Sequence, residues 1–455
     1  MGQASPQGHS NGAVGGGRES RVSAATACSV VIANMVGIGV FTSAGFQVEA
    51  VPSGFGVLLL WVTGGLVALC GALCYAELAA ALPRSGGEYH FLSRIFHPLP
   101  GFLSGWISAT VGFAAPIALA AMAFADYLGG ALPWLPRAPL AVGLVVATAI
   151  VHSFNLRFGG AVQRMSTWLK VLLIVCLCVA LFSFGGSAPA HFLPAAGDPG
   201  LIFSAPFAVS LVFVMYSYSG WNSAAYIADE VRDPGRSLPL ALVGGAIVVT
   251  FLYVLINAAF LFAAPMSAMS GKVEVALIAA RAVFGETGAD VTAALIGIGL
   301  ISTVSAMTWA GPRVSLAMGE DHRGLRFLAC RNRSGIPIVA LWVQTALALA
   351  MLLTASFKSI LLYVEFVLSI PLMMTVFGVI WLRLREPDLP RPFRVWGYPI
   401  TPLIFLGMEA WFIVALLQRQ PRESIAGIAT LALGALVYFL TTGRGAGRAT
   451  KPSIT

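Results

Sequence analysis

Apolar residues run along this chain in long blocks separated by short segments rich in Arg, Gly, Pro and Ser. Blocks of about eighteen residues or more can cross the roughly 30 Å hydrocarbon core of a bilayer as α-helices. The pattern predicts spans at 22–48, 55–80, 90–128, 138–155, 163–185, 203–227, 239–264, 289–317, 337–355, 359–384, 399–418 and 424–441, twelve in all. The third and eighth are long enough to be strongly tilted or to run past the membrane. Two blocks are interrupted in their middles, the first at Gly37-Ile38-Gly39 and the sixth around Ser219-Gly220. An unpaired N–H or C=O in hydrocarbon costs several kcal/mol, so a broken span is expected only where the freed groups are used. Two breaks about 180 residues apart, in the first spans of two similar halves, point to a binding site at the bilayer midplane, the arrangement of a secondary transporter.

Composition agrees. Hydrophobic residues make up 58% of the chain and charged residues 10%, against roughly 25% charged in soluble domains. With the N-terminus on the inner side, twenty of the 27 Lys and Arg fall on inner segments, a positive-inside bias that supports an even number of spans with both termini cytoplasmic. The net charge of +8 then reflects topology. The arginines are split among short loops and form no stripe, which argues against a nucleic-acid partner. Residues 1–20 are polar and Gly-rich with no apolar core before a cleavage site, and read as a disordered tail, as does 443–455. Cys28, Cys70, Cys74, Cys176 and Cys178 fall in spans and Cys330 in an inner loop, so neither disulfides nor a metal site is expected.

The breaks carry the candidate chemistry. In NMVGIGVFTSAGF, glycines 37 and 39 lower helix propensity and bulk, so the second half of the helix opens with unpaired N–H groups and a partial positive charge suited to a carboxylate. The competing reading is that the two glycines merely pack against a neighbour. In VFVMYSYSGWNSAAYIADEV, Ser217, Ser219, Gly220 and Asn222 interrupt an apolar span, and carbonyls ending the preceding half-helix can receive an ammonium group. Donors for a carboxylate beside acceptors for an amine describe an amino acid.

Together with CYAELAAALPRSGGEYHFL, YSYSGWNSAAYIADEVRDPGRSLPLAL, SAMTWAGPRVSLAMGED and RPFRVWGYPITP, these strings resemble signatures of the amino acid, polyamine and organocation transporter superfamily, in order from about residue 22 to 441. The resemblance implies an all-α membrane protein with a five-plus-five inverted repeat (the LeuT-like fold). The repeats would be about 22–185 and 203–384, with helices 1 and 6 discontinuous and helices 11 and 12, about 399–441, peripheral. Helices 1, 2, 6 and 7 would form a bundle that rocks against a scaffold of 3, 4, 8 and 9. The segment Tyr216 to Asn222 is similar to FAYGGWN of the L-type amino acid transporters. By that match Tyr216 is an aromatic lid, Ser217 and Ser219 lie near the amine with the Met35 carbonyl, the N–H groups of Ile38 and Gly39 lie near the carboxylate, and Asn222 supports the unwound loop. Ile38 departs from the serine or threonine common there.

Lys170 lies within the fifth span, where an ammonium facing lipid would cost at least about 2.5 to 3.5 kcal/mol. Snorkelling to the inner headgroups is the alternative. The resemblance implies a lysine that stands where sodium sits in sodium-coupled relatives, close to Ser302 and Thr303, and so sodium-independent transport. Lys170 as a fixed strut and Lys170 as a titrating proton carrier both remain open. Glu365 reads as a polar helix contact near the outer surface or as the partner of a donor elsewhere in the chain, with its role open. Glu77, Glu88, Asp229 and Glu230 read as partners of loop arginines at an inner gate, and Pro116 and Gly311-Pro312 as kinks.

The inferred lining offers no charge to match a second charge on the substrate, which favours neutral L-amino acids over cationic amino acids or polyamines. The function expected is exchange or proton symport in the cell's inner (plasma) membrane, with protons as the candidate coupling ion and no cofactor. An amino-acid-sensing receptor of transporter shape is the alternative from another class. No enzyme motif is present. The loop between the third and fourth spans, GGALPWLPRAP, has no cysteine to bridge a heavy-chain subunit, so none is expected.

Overall fold

The computed structural model describes residues 22–132, 134–154, 160–186 and 192–442; the tails expected at 1–20 and 443–455 lie outside these. The described residues are helical throughout, apart from one isolated bridge between Val22 and Val231. The first apolar block forms α1 (Ala24–Met35), α2 (Gly39–Thr42) and α3 (Ala44–Ala50), with Ser43 between the last two in right-handed helical geometry. α4 is Gly54–Ala81. Serine recurs as the N-cap: Ser23 accepts from the Thr26 N–H and Ser53 from the Gly56 N–H. Ser204 does the same for the Phe207 N–H and Ser356 for the Ser359 N–H. Each satisfies one of the orphan donors of a first turn.

The third block is more divided than its hydropathy suggests. It forms α5 (Gly87–Ile95), α6 (Pro98–Ile107), a π-turn over Ser108–Gly112 and α7 (Ala114–Ala131). His97 is extended (φ −159°, ψ 155°) because it precedes Pro98, and Pro98 then starts a new helix. Pro116 has no N–H for the Gly112 carbonyl, and the expected kink takes the form of that π-turn.

α8 (Arg137–Phe154) and α9 (Gly160–Phe184) follow, then the short α10 (Asp198–Ile202). The sixth block is α11 (Ala205–Tyr218), a non-helical stretch and a 3-10 turn at Ser223–Ile227. α12 (Pro234–Ala263) and the short α13 (Met266–Met269) precede α14 (Val275–Asp321). α14 starts well before the expected residue 289 and departs from helical geometry at Gly285. Arg281 and Glu286 in its first turns hide that part from a hydropathy reading. α15 (Ile338–Thr354), α16 (Phe357–Arg385), α17 (Ile400–Arg419) and α18 (Pro421–Thr442) complete the chain. Among the described residues, nine helical segments are long and apolar enough to cross a membrane, and Trp168–Phe184 and Ile338–Thr354 are shorter apolar helices.

Small residues let these helices approach closely, as membrane packing without a hydrophobic drive requires. Gly65 of α4 meets Thr250 of α12 so tightly that a Cβ would lie 2.3 Å from its methyl carbon. Ala114, Ala118 and Ala121 of α7 are fully buried. α7 packs along α14, α8 and α15, while α12 packs along α4 and α1. Large side chains turn outward instead: Leu172 and Val179 on α9, Phe251 on α12, and Leu436 and Leu440 on α18 are exposed.

At the end of α4, Glu77 is 2% exposed and accepts from Arg383 Nε at 2.8 Å and from the Val395 N–H at 2.7 Å, with Arg391 Nε at 3.5 Å. This pins the loop after α16 onto α4. Glu88 differs from expectation: its partners are Tyr75 Oη (2.7 Å), Asn222 Nδ2 (2.5 Å) and Tyr226 Oη, and none is an arginine. Neutral donors satisfy its lone pairs without burying a second charge. Asp229 likewise receives the Ser85 hydroxyl. Removing Glu77 strands two arginines in a half-buried place, so Glu77→Ala should cost about 3 kcal/mol and lower the Tm of detergent-solubilised protein. An unchanged Tm would show that the pinning contributes no stability.

Candidate functional site

The two interrupted helices meet at their breaks. α1 ends at Met35; Val36 and Gly37 leave helical geometry, and the chain re-enters it at Gly39. A Cβ on Gly39 would lie 2.7 Å from Ser217 Cα in α11. Gly220, at φ +99°, sits against α1, where a Cβ would lie 2.8 Å from the Asn34 carbonyl carbon. Each break is therefore seated on the other. Ser43 Oγ ties them further, lying 3.0 Å from Ser217 Oγ and 3.2 Å from the Phe213 carbonyl.

This contact sets complementary groups side by side. The N–H groups of Ile38, Gly39 and Val40 have no acceptor among the described residues. They open the segment that runs on to Ala50, and carry the partial positive charge of a helix N-terminus. Facing them at the end of α11, the carbonyls of Ser217 and Tyr218 receive no donor among the described residues. The Tyr216 carbonyl is already taken by the N–H of Ser219 (3.1 Å) and its hydroxyl (2.7 Å). A carboxylate on the first set and an ammonium on the second fit these poles.

Other expected residues are placed differently. The Met35 carbonyl, expected beside the amine, accepts from Tyr253 Oη at 2.6 Å and from the Gly37 N–H at 2.7 Å, which uses both lone pairs in this conformation. Tyr253 of α12 thus holds the unwound segment, a role that nothing in the local sequence announces. Tyr127 of α7 does the same for the following turn, donating to the Phe41 carbonyl at 2.7 Å. Asn222 points away from the poles and donates to Glu88, so its support reaches the loop through the α5 carboxylate. Tyr216 is 7% exposed, and its hydroxyl forms no hydrogen bond among the described residues.

Lys170 is 7% exposed, with its stem over Gly299 and Nζ donating to Thr303 Oγ1 at 2.7 Å. The side chain therefore points into the protein toward α14 and does not snorkel. Thr303 in turn donates to the Gly299 carbonyl. No hydrogen bond from Lys170 to α1 is formed among the described residues.

Glu365 is buried at 3% exposure with Oε2 unpartnered, which is not the polar helix contact expected. Glu409 of α17, which hydropathy alone gives no reason to single out, is fully buried with both carboxylate oxygens unpartnered.

The glycines of the first break separate cleanly. A Cβ on Gly37 meets nothing closer than 3.8 Å, whereas Gly39 and Gly220 are closed by backbone atoms of the opposite helix. Gly37→Ala should leave the Tm unchanged, and Gly39→Ala and Gly220→Ala should each cost about 1 to 3 kcal/mol through overpacking, with left-handed strain added at Gly220. Equal shifts at 37 and 39 would show that the two breaks are not seated as described.

Comparison with known proteins bears on the same core. The family model described as amino acid permease matches residues 22–438. The chain is 30% identical over 458 residues to the mouse large neutral amino acids transporter small subunit 2, covering 95% of this chain and 82% of that one. It is 28% identical to the mouse Asc-type amino acid transporter 1 (91% and 80% covered) and 26% identical to the mouse b(0,+)-type amino acid transporter 1 (90% and 85%). The match spans both broken helices and the packed helices around them, and the chain belongs to the amino acid permease family of the amino acid, polyamine and organocation superfamily.

Proposed function

We propose that this protein is a sodium-independent secondary transporter of neutral L-amino acids that works by alternating access. The observation that carries the reading is the pair of facing poles: free N–H groups at Ile38, Gly39 and Val40 beside free carbonyls at Ser217 and Tyr218. An α-amino acid bridges such poles with its own two charges, leaving the side chain to reach toward Tyr216. The relatives are named for amino acid transport, and one of them for large neutral amino acids, which supports transport over catalysis or sensing.

The reading includes twelve spans in a five-plus-five inverted repeat, with both termini cytoplasmic in the cell's inner membrane. Its support is the pairing of helices: α12 packs on α1 and α4, and α4 on α11, while α7, α8, α14 and α15 all contact one another. The first group is the expected moving bundle and the second the scaffold. Lys170 extends from α9 to Thr303 of the scaffold, where a fixed cation disfavours sodium by Coulomb repulsion. No heavy-chain subunit is included, because the sequence between α7 and α8 has no cysteine to bridge one.

Purified protein in proteoliposomes should take up a labelled neutral L-amino acid without sodium, and added sodium should not accelerate it. Lys170→Ala should lower the rate about tenfold or more, the equivalent of about 1.4 kcal/mol. Uptake that requires sodium would overturn the assignment of Lys170, and failure to carry any amino acid would overturn the whole reading.

A further inference from the structure

Two carboxylates buried on α16 and α17 are not used by the transport reading. Glu365 stands eight residues into α16, and Glu409 nine residues into α17, which runs back alongside it. Their side chains are near enough to interact electrostatically, and the Ser369 hydroxyl lies beside Glu409 while donating to the Glu365 carbonyl at 2.8 Å. Glu409 is fully buried with both oxygens unpartnered, and Glu365 is 3% exposed with Oε2 unpartnered.

Among the described residues neither carboxylate has an ion-pair partner. On their own helices the basic groups stand at the ends: Lys358 faces Glu49 at 3.5 Å, Arg383 is held by Glu77, and Arg419 is about 15 Å along α17 from Glu409. On the packed helices, Arg94 of α5 is paired with Glu386 and Arg422 is exposed in the first turn of α18. Glu77 of α4 is paired with arginines, Glu88 of α5 with neutral donors, Asp126 of α7 with Arg137, and Glu423 of α18 with Ser359. From α11 comes the Tyr216 phenol, near enough to Glu365 to interact with it and itself without a hydrogen-bond partner among the described residues.

Two adjacent carboxylates cannot both be ionised in a dry site without a counter-charge. The ligand that such a pair takes without needing space is a proton. We propose that Glu365 and Glu409 form the proton-binding site that couples amino acid movement to a proton gradient, with Lys170 as a fixed strut. This rests on the transport reading above. The pair gains a proton when the site opens to the acidic side and loses it to water when the site opens to the other; no bond other than O–H forms or breaks. Tyr216 links the pair to transport, because it sits on α11 two residues before the break and moves with that helix. Pro371, six residues beyond Glu365, leaves the Val367 carbonyl without its helical donor and gives α16 a place to bend. With one proton the pair keeps a single negative charge, and the second proton makes it neutral, which agrees with a neutral substrate.

The test uses proteoliposomes holding the full chain, with alanine, leucine and lysine as labelled probes. Each is followed in exchange against preloaded amino acid, and in accumulation under an inward proton gradient. The wild type should accumulate a neutral probe at least tenfold with the gradient. Glu365→Gln and Glu409→Gln, close in shape to the native residues, should abolish accumulation and flatten the pH profile while exchange persists and reports a folded protein. Lys170→Ala should slow both modes and keep the pH midpoint. Wild-type exchange with no gradient-driven accumulation would overturn the proposal, as would accumulation unaltered in both glutamine variants. Preferred uptake of lysine that either glutamine variant removes would overturn it in favour of an ammonium-binding pair. No transport of any probe in either mode would instead sink the transport reading itself.

Discussion

A helix that breaks within hydrocarbon must find protein partners for its backbone, because lipid supplies none. The centre of this molecule is organised by that requirement. Gly39 seats on Ser217 and Gly220 on Asn34, so the breaks close over each other. Tyr253 and Tyr127 then occupy the Met35 and Phe41 carbonyls from outside. What is left unpaired after this accounting is small and polarised, N–H groups on one side and carbonyls on the other. On the proposed reading, that residual pairing capacity is the site.

Much of this was legible in the sequence because glycine and serine clustered inside an apolar run weaken a helix where lipid would otherwise demand a continuous one. The positions of both breaks follow from residue type and span position, whereas residue type left Lys170 free to snorkel and only the family resemblance implied its place beside Thr303. Gly37 and Gly39 look equivalent in the string GIG, yet only at Gly39 would a Cβ collide with the backbone of another helix; the distinction lies in the packing of α2 on α11, which local sequence does not encode. Met35 was expected to offer a carbonyl that Tyr253, 218 residues away, already holds. The division at His97-Pro98 was present in the sequence, but hydropathy alone carried the span across it.

Glu409 shows a different limit. Nothing in FLGMEAWF singles out Glu409, and Glu365 alone reads as a polar contact or the partner of a distant donor. Only the antiparallel packing of α16 on α17 brings the two to one depth. Charge that seems incidental in each helix becomes a constraint once paired, since each carboxylate removes the other's easiest route to ionisation.

The bridge between Val22 and Val231 joins the residue before α1 to the chain beyond the second break through two hydrogen bonds, Val22 N–H to the Glu230 carbonyl and Arg232 N–H to the Val22 carbonyl, each 2.9 Å. Any swing of the first half-helix away from that chain must part both. Such bonds are worth about 1 kcal/mol each against water, so together they bias a two-state equilibrium by roughly thirtyfold. Under the proposed alternating access the two bonds would act as a latch that holds without locking, one that thermal motion releases without any outside source of energy.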